Sequence, residues 1–85
     1  MSLPESEVML RHLPVDEALI KMDKFLNQSY DMGLYTVRVI HGKGSGTLRL
    51  ETRRELAHHP LVESFRPAES WEGGTGATIV RLISR

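Results

Sequence analysis

Apolar and polar residues recur along the chain in two kinds of pattern, which together predict six elements. Apolar residues at alternate positions indicate strands, and apolar residues three or four positions apart indicate helices. A strand followed by a helix occurs twice, and two further strands complete the chain. The predicted elements are a strand at Glu7–His12, a helix at Val15–Asp31, a strand at Tyr35–Ile40, a helix at Gly46–His59, and strands at Val62–Arg66 and Ala77–Ile83.

This order predicts an α/β fold of βαβαββ type, a two-layer sandwich in which two helices cover a mixed four-stranded sheet. The helical connection between the first two strands is long enough for a right-handed crossover, so these strands are expected to be parallel. The last strand is apolar on both faces and is expected in the interior of the sheet, whereas Pro67 confines the third strand to an edge. The glycine-rich stretch Glu72–Gly76 is expected to be a mobile turn.

At 85 residues the chain has the size of one domain. We assign residues 1–7, which are acidic, to a linker or an added N-terminus, and residues 8–85 to the domain. No apolar run approaches the ~20 residues that span a bilayer, and the start lacks the apolar segment of a signal peptide, so no membrane partner is expected. The lack of cysteine excludes disulfides and suits a cytoplasmic location.

The distribution of charge is more informative than its sum. The formal net charge is zero, which argues against a protein that coats nucleic acid over its whole surface. The stretch Arg38–Arg54 nevertheless holds five of the 11 basic residues and one of the 11 acidic residues. A compact basic patch on a neutral protein is typical of local contact with phosphates.

The basic stretch contains a glycine-rich loop between a β-branched strand and a helix. Glycine lets the backbone adopt positive φ or approach a ligand, and N–H groups at a helix start attract anions. The spacing is neither GxxxxGK[ST] nor GxGxxG, so the loop is not that of a common nucleotide-binding or dinucleotide-binding fold. The predicted phosphate-binding residues are Gly42, Lys43, Gly44, Ser45, Gly46, Arg49 and Arg53.

Five segments, in order, resemble the Smr domain, a small MutS-related module found at the C-terminus of MutS2 proteins and in stand-alone relatives. They span about Val8 to Leu82 and are LPVDEAL, the helix ending at Gly33, VRVIHGKGSGTLR, HHPLVESFRPA and EGGTGATIVRL. The resemblance implies a fold similar to the C-terminal domain of translation initiation factor three. It also implies a nucleic-acid-binding endonuclease domain of a MutS2-like protein, which nicks DNA to suppress recombination or cleaves RNA at stalled ribosomes.

His41, which ends the second strand, is the best candidate for proton transfer in such a cleavage. Imidazole gives and takes protons near neutral pH. From spacing alone, a histidine that only caps the strand or forms a hydrogen bond to the loop would be favoured, whereas the resemblance favours catalysis. Parallel pairing of the first two strands places Arg11 and His12 beside the loop, and we assign catalytic roles to all three residues.

The first strand departs from the family pattern. Smr domains commonly carry Asp-Leu-His-Gly or Asp-Leu-Arg-Gly there, whereas this chain reads Met9-Leu10-Arg11-His12. Met9 replaces the carboxylate and His12 replaces the glycine. The alternative function is therefore a non-catalytic DNA- or RNA-binding module that positions a larger MutS2 protein. His12 either supplies a second imidazole or faces solvent without a role.

No cofactor is expected in this domain. No spacing of residues supports a metal site, although a divalent metal would suit the chemistry, and ATP would bind elsewhere in a full-length protein. The expected partners are DNA, including branched DNA, or ribosomal or messenger RNA. The domain alone is expected to be monomeric and its parent protein dimeric.

Overall fold

The computed structural model describes residues 4–44 and 46–84 and has the predicted fold class. Two helices pack on one face of a four-stranded sheet. The elements are β1 (Ser6–Met9), α1 (Val15–Asp31), β2 (Thr36–Ile40), α2 (Thr47–His58), β3 (Val62–Pro67) and β4 (Ala77–Leu82). Their order and type confirm the βαβαββ prediction.

The sheet has the strand order β1-β2-β4-β3. β1 and β2 are parallel, and β4 runs antiparallel to both of its neighbours. As predicted, β4 lies inside the sheet and β3 ends at Pro67 on an edge. Met9 and Ile40, the last residues of β1 and β2, are direct partners, so the segments that follow these two strands emerge side by side.

α1 has the predicted bounds because its apolar face and its end signal are both clear. Ala18, Met22 and Leu26 recur every four residues and are fully buried. Gly33, with φ of +79°, then takes the left-handed conformation that ends many helices. Neither α1 nor any other helix in the described parts of the chain is long and apolar enough to cross a membrane.

The helices cover only one face of the sheet. Val37 and Val39 of β2 are fully buried in the core that both helices share. Side chains alternate between the two faces along a strand, so Arg38 and Ile40 lie on the opposite side. We call this opposite side the open face.

β1 lies earlier in the chain than predicted, at Ser6–Met9 rather than Glu7–His12. The N–H of Leu10 still donates to the carbonyl of Ile40, at 2.8 Å. The chain then turns towards α1, and His12 has a positive φ of 74°. A residue in that conformation cannot continue a strand, which explains the shift.

The residue before β1 is also part of the folded body. The Glu5 carboxylate accepts hydrogen bonds from the backbone N–H groups of Tyr35 and Thr36, at 2.8 and 3.0 Å. These two bonds lower the pKa of Glu5. The predicted boundary between residues 1–7 and the domain therefore falls inside β1.

The connection between β3 and β4 is more ordered than the predicted turn. It contains two short 3₁₀ helices, Ser70–Glu72 and Gly74–Gly76. The Glu72 side chain is 1% exposed, and its two carboxylate oxygens accept hydrogen bonds from Arg66 at 2.7 and 2.9 Å. The hydrogen bonds from Arg66 are the main reason that the pKa of Glu72 falls to about 2. Trp71, which precedes Glu72 in the chain, is 49% exposed.

Candidate functional site

The glycine loop between β2 and α2 is anchored on the start of β4. The N–H groups of His41 and Gly42 both donate to the carbonyl of Gly76, at 3.0 and 2.9 Å. Gly42 and Gly46 have φ of +88° and +91°, which favours glycine at both positions. Ser45, which belongs to the predicted phosphate-binding set, lies outside the described residues. The start of the loop is thus held by hydrogen bonds to Gly76.

Gly44, unlike Gly42 and Gly46, has no positive φ that favours glycine. Its φ lies outside the left-handed region, and, apart from the two chain neighbours, no described residue has an atom within 4 Å of a Cβ added there. The described residues other than these neighbours therefore leave space above Gly44 for a ligand.

His41 is buried beneath the loop, with only 4% of its surface exposed. Its Nδ1 lies 3.1 Å from the carbonyl of Gly42, and its Nε2 lies 2.9 Å from Oγ1 of Thr78. A carbonyl can only accept, so Nδ1 carries the proton and Nε2 accepts from the Thr78 hydroxyl. Burial is the main cause that lowers the pKa of His41; the bond to Gly42 opposes it, and the nearby charges of Arg53 and Arg49 lower it further. These two hydrogen bonds hold His41 against the loop, and its predicted role in catalysis stays a prediction.

Thr78 links the loop to α2 and was not evident from the sequence. It is fully buried on β4, and its hydroxyl accepts a hydrogen bond from Nε of Arg53 at 3.3 Å. Arg53, Thr78, His41 and the carbonyl of Gly42 therefore form one continuous chain of polar contacts. Only the alternation of β4, which places Thr78 opposite Val39 on the core face, could have pointed to it.

A first cavity, of about 220 Å³, lies between the loop and the turn after β1, and we call it the loop cavity. The residues around it include most of the predicted site. The predicted site residues among them are Arg11, His12, His41, Gly42, Gly44, Gly46 and Arg49. Parallel pairing of β1 and β2 thus brings the two predicted halves of the site together.

Two further cavities flank the loop cavity. The open-face cavity, of about 450 Å³, lies where β2 and β4 meet the loop and includes Arg11, Arg38 and Lys43 in its lining. The β3-side cavity, of about 370 Å³, includes Arg49 and Arg53. Arg53 therefore lies apart from Arg11 and Lys43, and it shares a cavity only with Arg49. Of the described residues that line these three cavities, none is Asp or Glu.

His12 is exposed on the wall of the loop cavity in an unusual backbone conformation. Its φ of 74° makes it the only residue other than glycine with a positive φ in the described chain. This conformation costs a residue with a Cβ about 1–2 kcal/mol relative to the right-handed region. Position 12 is the one at which Smr domains commonly carry glycine, the residue that adopts a positive φ most readily.

No group of three or more His, Asp or Glu side chains among the described residues is arranged to hold a metal ion.

Comparisons with known proteins agree with this geometry. The family model described as the Smr domain matches residues 9–83. The protein named Endonuclease MutS2 from Pelotomaculum thermopropionicum is 49% identical over 76 residues, which are 89% of this chain and 10% of that protein. Its namesake from Thermomicrobium roseum is 49% identical over 78 residues, which are 92% of this chain and 10% of that protein.

Two solved structures share the fold. The Smr domain of Thermus thermophilus MutS2 has a TM-score of 0.89 and 46% sequence identity, and the match covers 92% of this chain and 98% of that one. YdaL, a stand-alone small MutS-related protein from Escherichia coli, has a TM-score of 0.88 and 30% identity, and the match covers 95% of this chain and 67% of that one.

The fold and the loop define a two-layer α/β domain with a cationic glycine loop at the ends of two parallel strands. The chain belongs to the Smr domain family, as its sequence motifs predicted. It spans 10% of the length of the curated MutS2 relatives described above.

Proposed function

We propose that this domain binds the sugar–phosphate backbone of DNA or RNA across the glycine loop. One observation carries the proposal, namely the segregation of charge around the loop. The lining of the three cavities contains five arginine and lysine residues and, in the described part of the chain, no carboxylate. The whole chain has 11 basic and 11 acidic residues, so this surface differs sharply from the average. Several adjacent cationic cavities suit the repeated phosphates of a nucleic acid.

Two kinds of donor are available for these phosphates. The side chains of Arg11, Lys43 and Arg49 can form charge-assisted hydrogen bonds to phosphate oxygens. The open space above Gly44 lets a phosphate approach the backbone just before α2, where the positive end of the helix dipole favours an anion. Such contacts position a nucleic acid without reading its sequence.

Cleavage of the bound backbone is a second candidate function, either nicking of DNA in suppression of recombination or cutting of RNA at stalled ribosomes. The name Endonuclease MutS2 carried by the relatives supports it. The exposed imidazole of His12 beside Arg11 is a group able to transfer a proton. Met9 in place of the common Asp supports binding without cleavage. We place either function in the cytoplasm.

Binding is tested with two lysine variants that make the same change of charge. Lys43→Glu should weaken binding to a fluorescent oligonucleotide and reduce the slope of log affinity against log salt by about one. Lys24→Glu, on the exposed side of α1, should leave both quantities nearly unchanged. If Lys43→Glu keeps the wild-type affinity and slope, the proposed interface is wrong.

Cleavage is tested on supercoiled plasmid and single-stranded RNA, with and without EDTA. If His12 transfers a proton, His12→Gln should lose cutting while it keeps binding, and His58→Gln, at the exposed end of α2, should cut like the wild type. Binding by the wild type without any cutting would leave the non-catalytic module as the function.

A further inference from the structure

The open-face cavity continues directly from the loop cavity. Arg11 and Gly42 line both cavities. A nucleic acid strand with one phosphate in the loop cavity can therefore place a neighbouring nucleoside in the open-face cavity. The volume of about 450 Å³ lies within the range of small-molecule sites.

The floor of the open-face cavity is apolar, unlike its rim. Ile40 and Ala77 are paired across β2 and β4 and face the cavity on the open face. Arg11, Arg38 and Lys43 surround this floor. A bare phosphate would not use the apolar floor, and a neutral apolar ligand would not use the charges of Arg11 and Lys43. A nucleotide has both an apolar ring face and a charged group, and arginine side chains stack on such rings.

The two cations on the loop side have stems that lie close to glycine backbone. A Cβ added to Gly42 would lie 2.8 Å from Cγ of Arg11, and one added to Gly76 would lie 3.2 Å from Cγ of Lys43. Glycine at these two positions therefore leaves room for the stems of both side chains beside the cavity.

Arg38 forms the opposite wall and is held from two sides. Its guanidinium donates to the carbonyl of Glu72 at 2.8 Å and pairs with the carboxylate of Glu7. These two contacts hold the guanidinium of Arg38 at the edge of the cavity whose floor is apolar.

We propose that the open-face cavity holds an unpaired nucleobase next to the phosphate bound at the glycine loop. A base in a duplex is stacked and paired and cannot enter, so the site favours single-stranded segments over continuous duplex. The inference rests on the proposed backbone binding and adds the class of substrate to it.

The test compares three oligonucleotides of equal length: a single strand, the same strand with abasic sites, and the duplex. The abasic strand keeps the phosphates and lacks the bases. The wild-type 85-residue chain should bind the intact strand about fivefold or more tightly than the abasic one, as expected for one stacked base.

Two isoleucine variants locate the effect. Ile40→Thr keeps a β-branched residue in β2 and does not change the charge. It should remove most of the preference for the intact oligonucleotide over the abasic one, whereas the affinity for the duplex should stay the same. Ile20→Thr, at a residue of α1 that is 59% exposed, is the matched control and should keep the preference. Thermal unfolding of both variants checks that they are folded.

The possible outcomes distinguish the proposed base site from the proposed backbone binding. Equal affinity of the wild type for intact and abasic strands would overturn the base site and leave backbone binding in place. Retention of the preference by folded Ile40→Thr would also overturn the site. Failure of the wild type to bind any of the three oligonucleotides would overturn both proposals.

Discussion

Alanine at Gly42 adds a methyl group where both the backbone and a neighbouring side chain oppose it. With φ of +88°, Gly42 lies in the left-handed region, where a Cβ costs about 1–2 kcal/mol. The new Cβ would also lie 2.8 Å from Cγ of Arg11, so the arginine stem must move. Alanine also lowers the conformational entropy of the unfolded chain, which stabilises the folded state by about 0.4–1 kcal/mol. We expect a net destabilisation of about 1–2 kcal/mol, or a Tm lower by about 5–15 °C for a domain of this size.

Alanine at Gly44 is the matched change two residues away, and its expected effect on stability has the opposite sign. Apart from the two chain neighbours, no described residue has an atom within 4 Å of the new Cβ, and φ is outside the left-handed region. Only the effect on the unfolded chain remains, so Gly44→Ala should keep the Tm or raise it by a few degrees, for about 0.4–1 kcal/mol. If phosphate approaches the backbone here, the methyl group should lower affinity about two- to tenfold, the range for one lost hydrogen bond.

The assay is thermal unfolding of both variants, followed by fluorescence anisotropy with the same labelled oligonucleotide. Gly42→Ala should lose both stability and affinity, because Arg11 is displaced. Gly44→Ala should lose affinity alone. Equal changes of Tm in the two variants would refute the loop geometry, and full affinity of Gly44→Ala would remove the loop backbone from the interface.

Three further predictions concern the backbone of the first turn and the dependence of stability on pH. His12→Gly should stabilise the domain by up to about 1 kcal/mol in urea unfolding, because relief of the left-handed strain exceeds the cost of the larger conformational entropy that glycine gives the unfolded chain. A loss of stability would mean that the imidazole makes a stabilising contact. Burial lowers the pKa of His41, so the unfolded chain binds the proton more readily, and Tm should fall as pH drops below about 6.5. In His41→Asn this fall should shrink, and an equal fall in both proteins would assign it to another group. The pKa of Glu72 is lowered to about 2 from 4.5, so the stability from its pairing with Arg66 is complete above pH 4.5 and is lost as pH falls towards 2. Glu72→Gln should be less stable than the wild type at pH 7, and the difference should narrow in acid; a constant difference would show that packing, rather than charge, matters at this position.

The fold was predictable wherever one element carried its own signals. α1 has apolar residues at helical spacing and Gly33 at its end, so both of its bounds followed from local pattern. β1 was placed too late because the apolar alternation runs on past Met9, whereas the chain leaves the sheet through the positive φ of His12. A residue other than glycine gives no local sign of that conformation.

The site was predictable in its location but not in the roles of its residues. Parallel β1 and β2 were enough to place Arg11 beside Lys43. The burial of His41 depends on Thr78, 37 residues further along the chain, and on the pairing of β2 with β4. The glycines around Glu72 suggested a free turn. The ion pair that orders this segment was not predictable from them, because its other member, Arg66, lies on the neighbouring strand β3. Contacts across strands are set by register, which periodicity alone does not give.

Trp71 gives the domain a spectroscopic reporter of its own. It is the single tryptophan of the chain and is about half exposed at 49%, so its emission should respond to solvent access. The next residue, Glu72, carries the carbonyl that holds Arg38, and Gly73 lines the open-face cavity. Intrinsic fluorescence should therefore report unfolding without a dye, a tag or a change of sequence, and a change of emission on addition of an oligonucleotide would be the expected sign of binding on this side of the molecule.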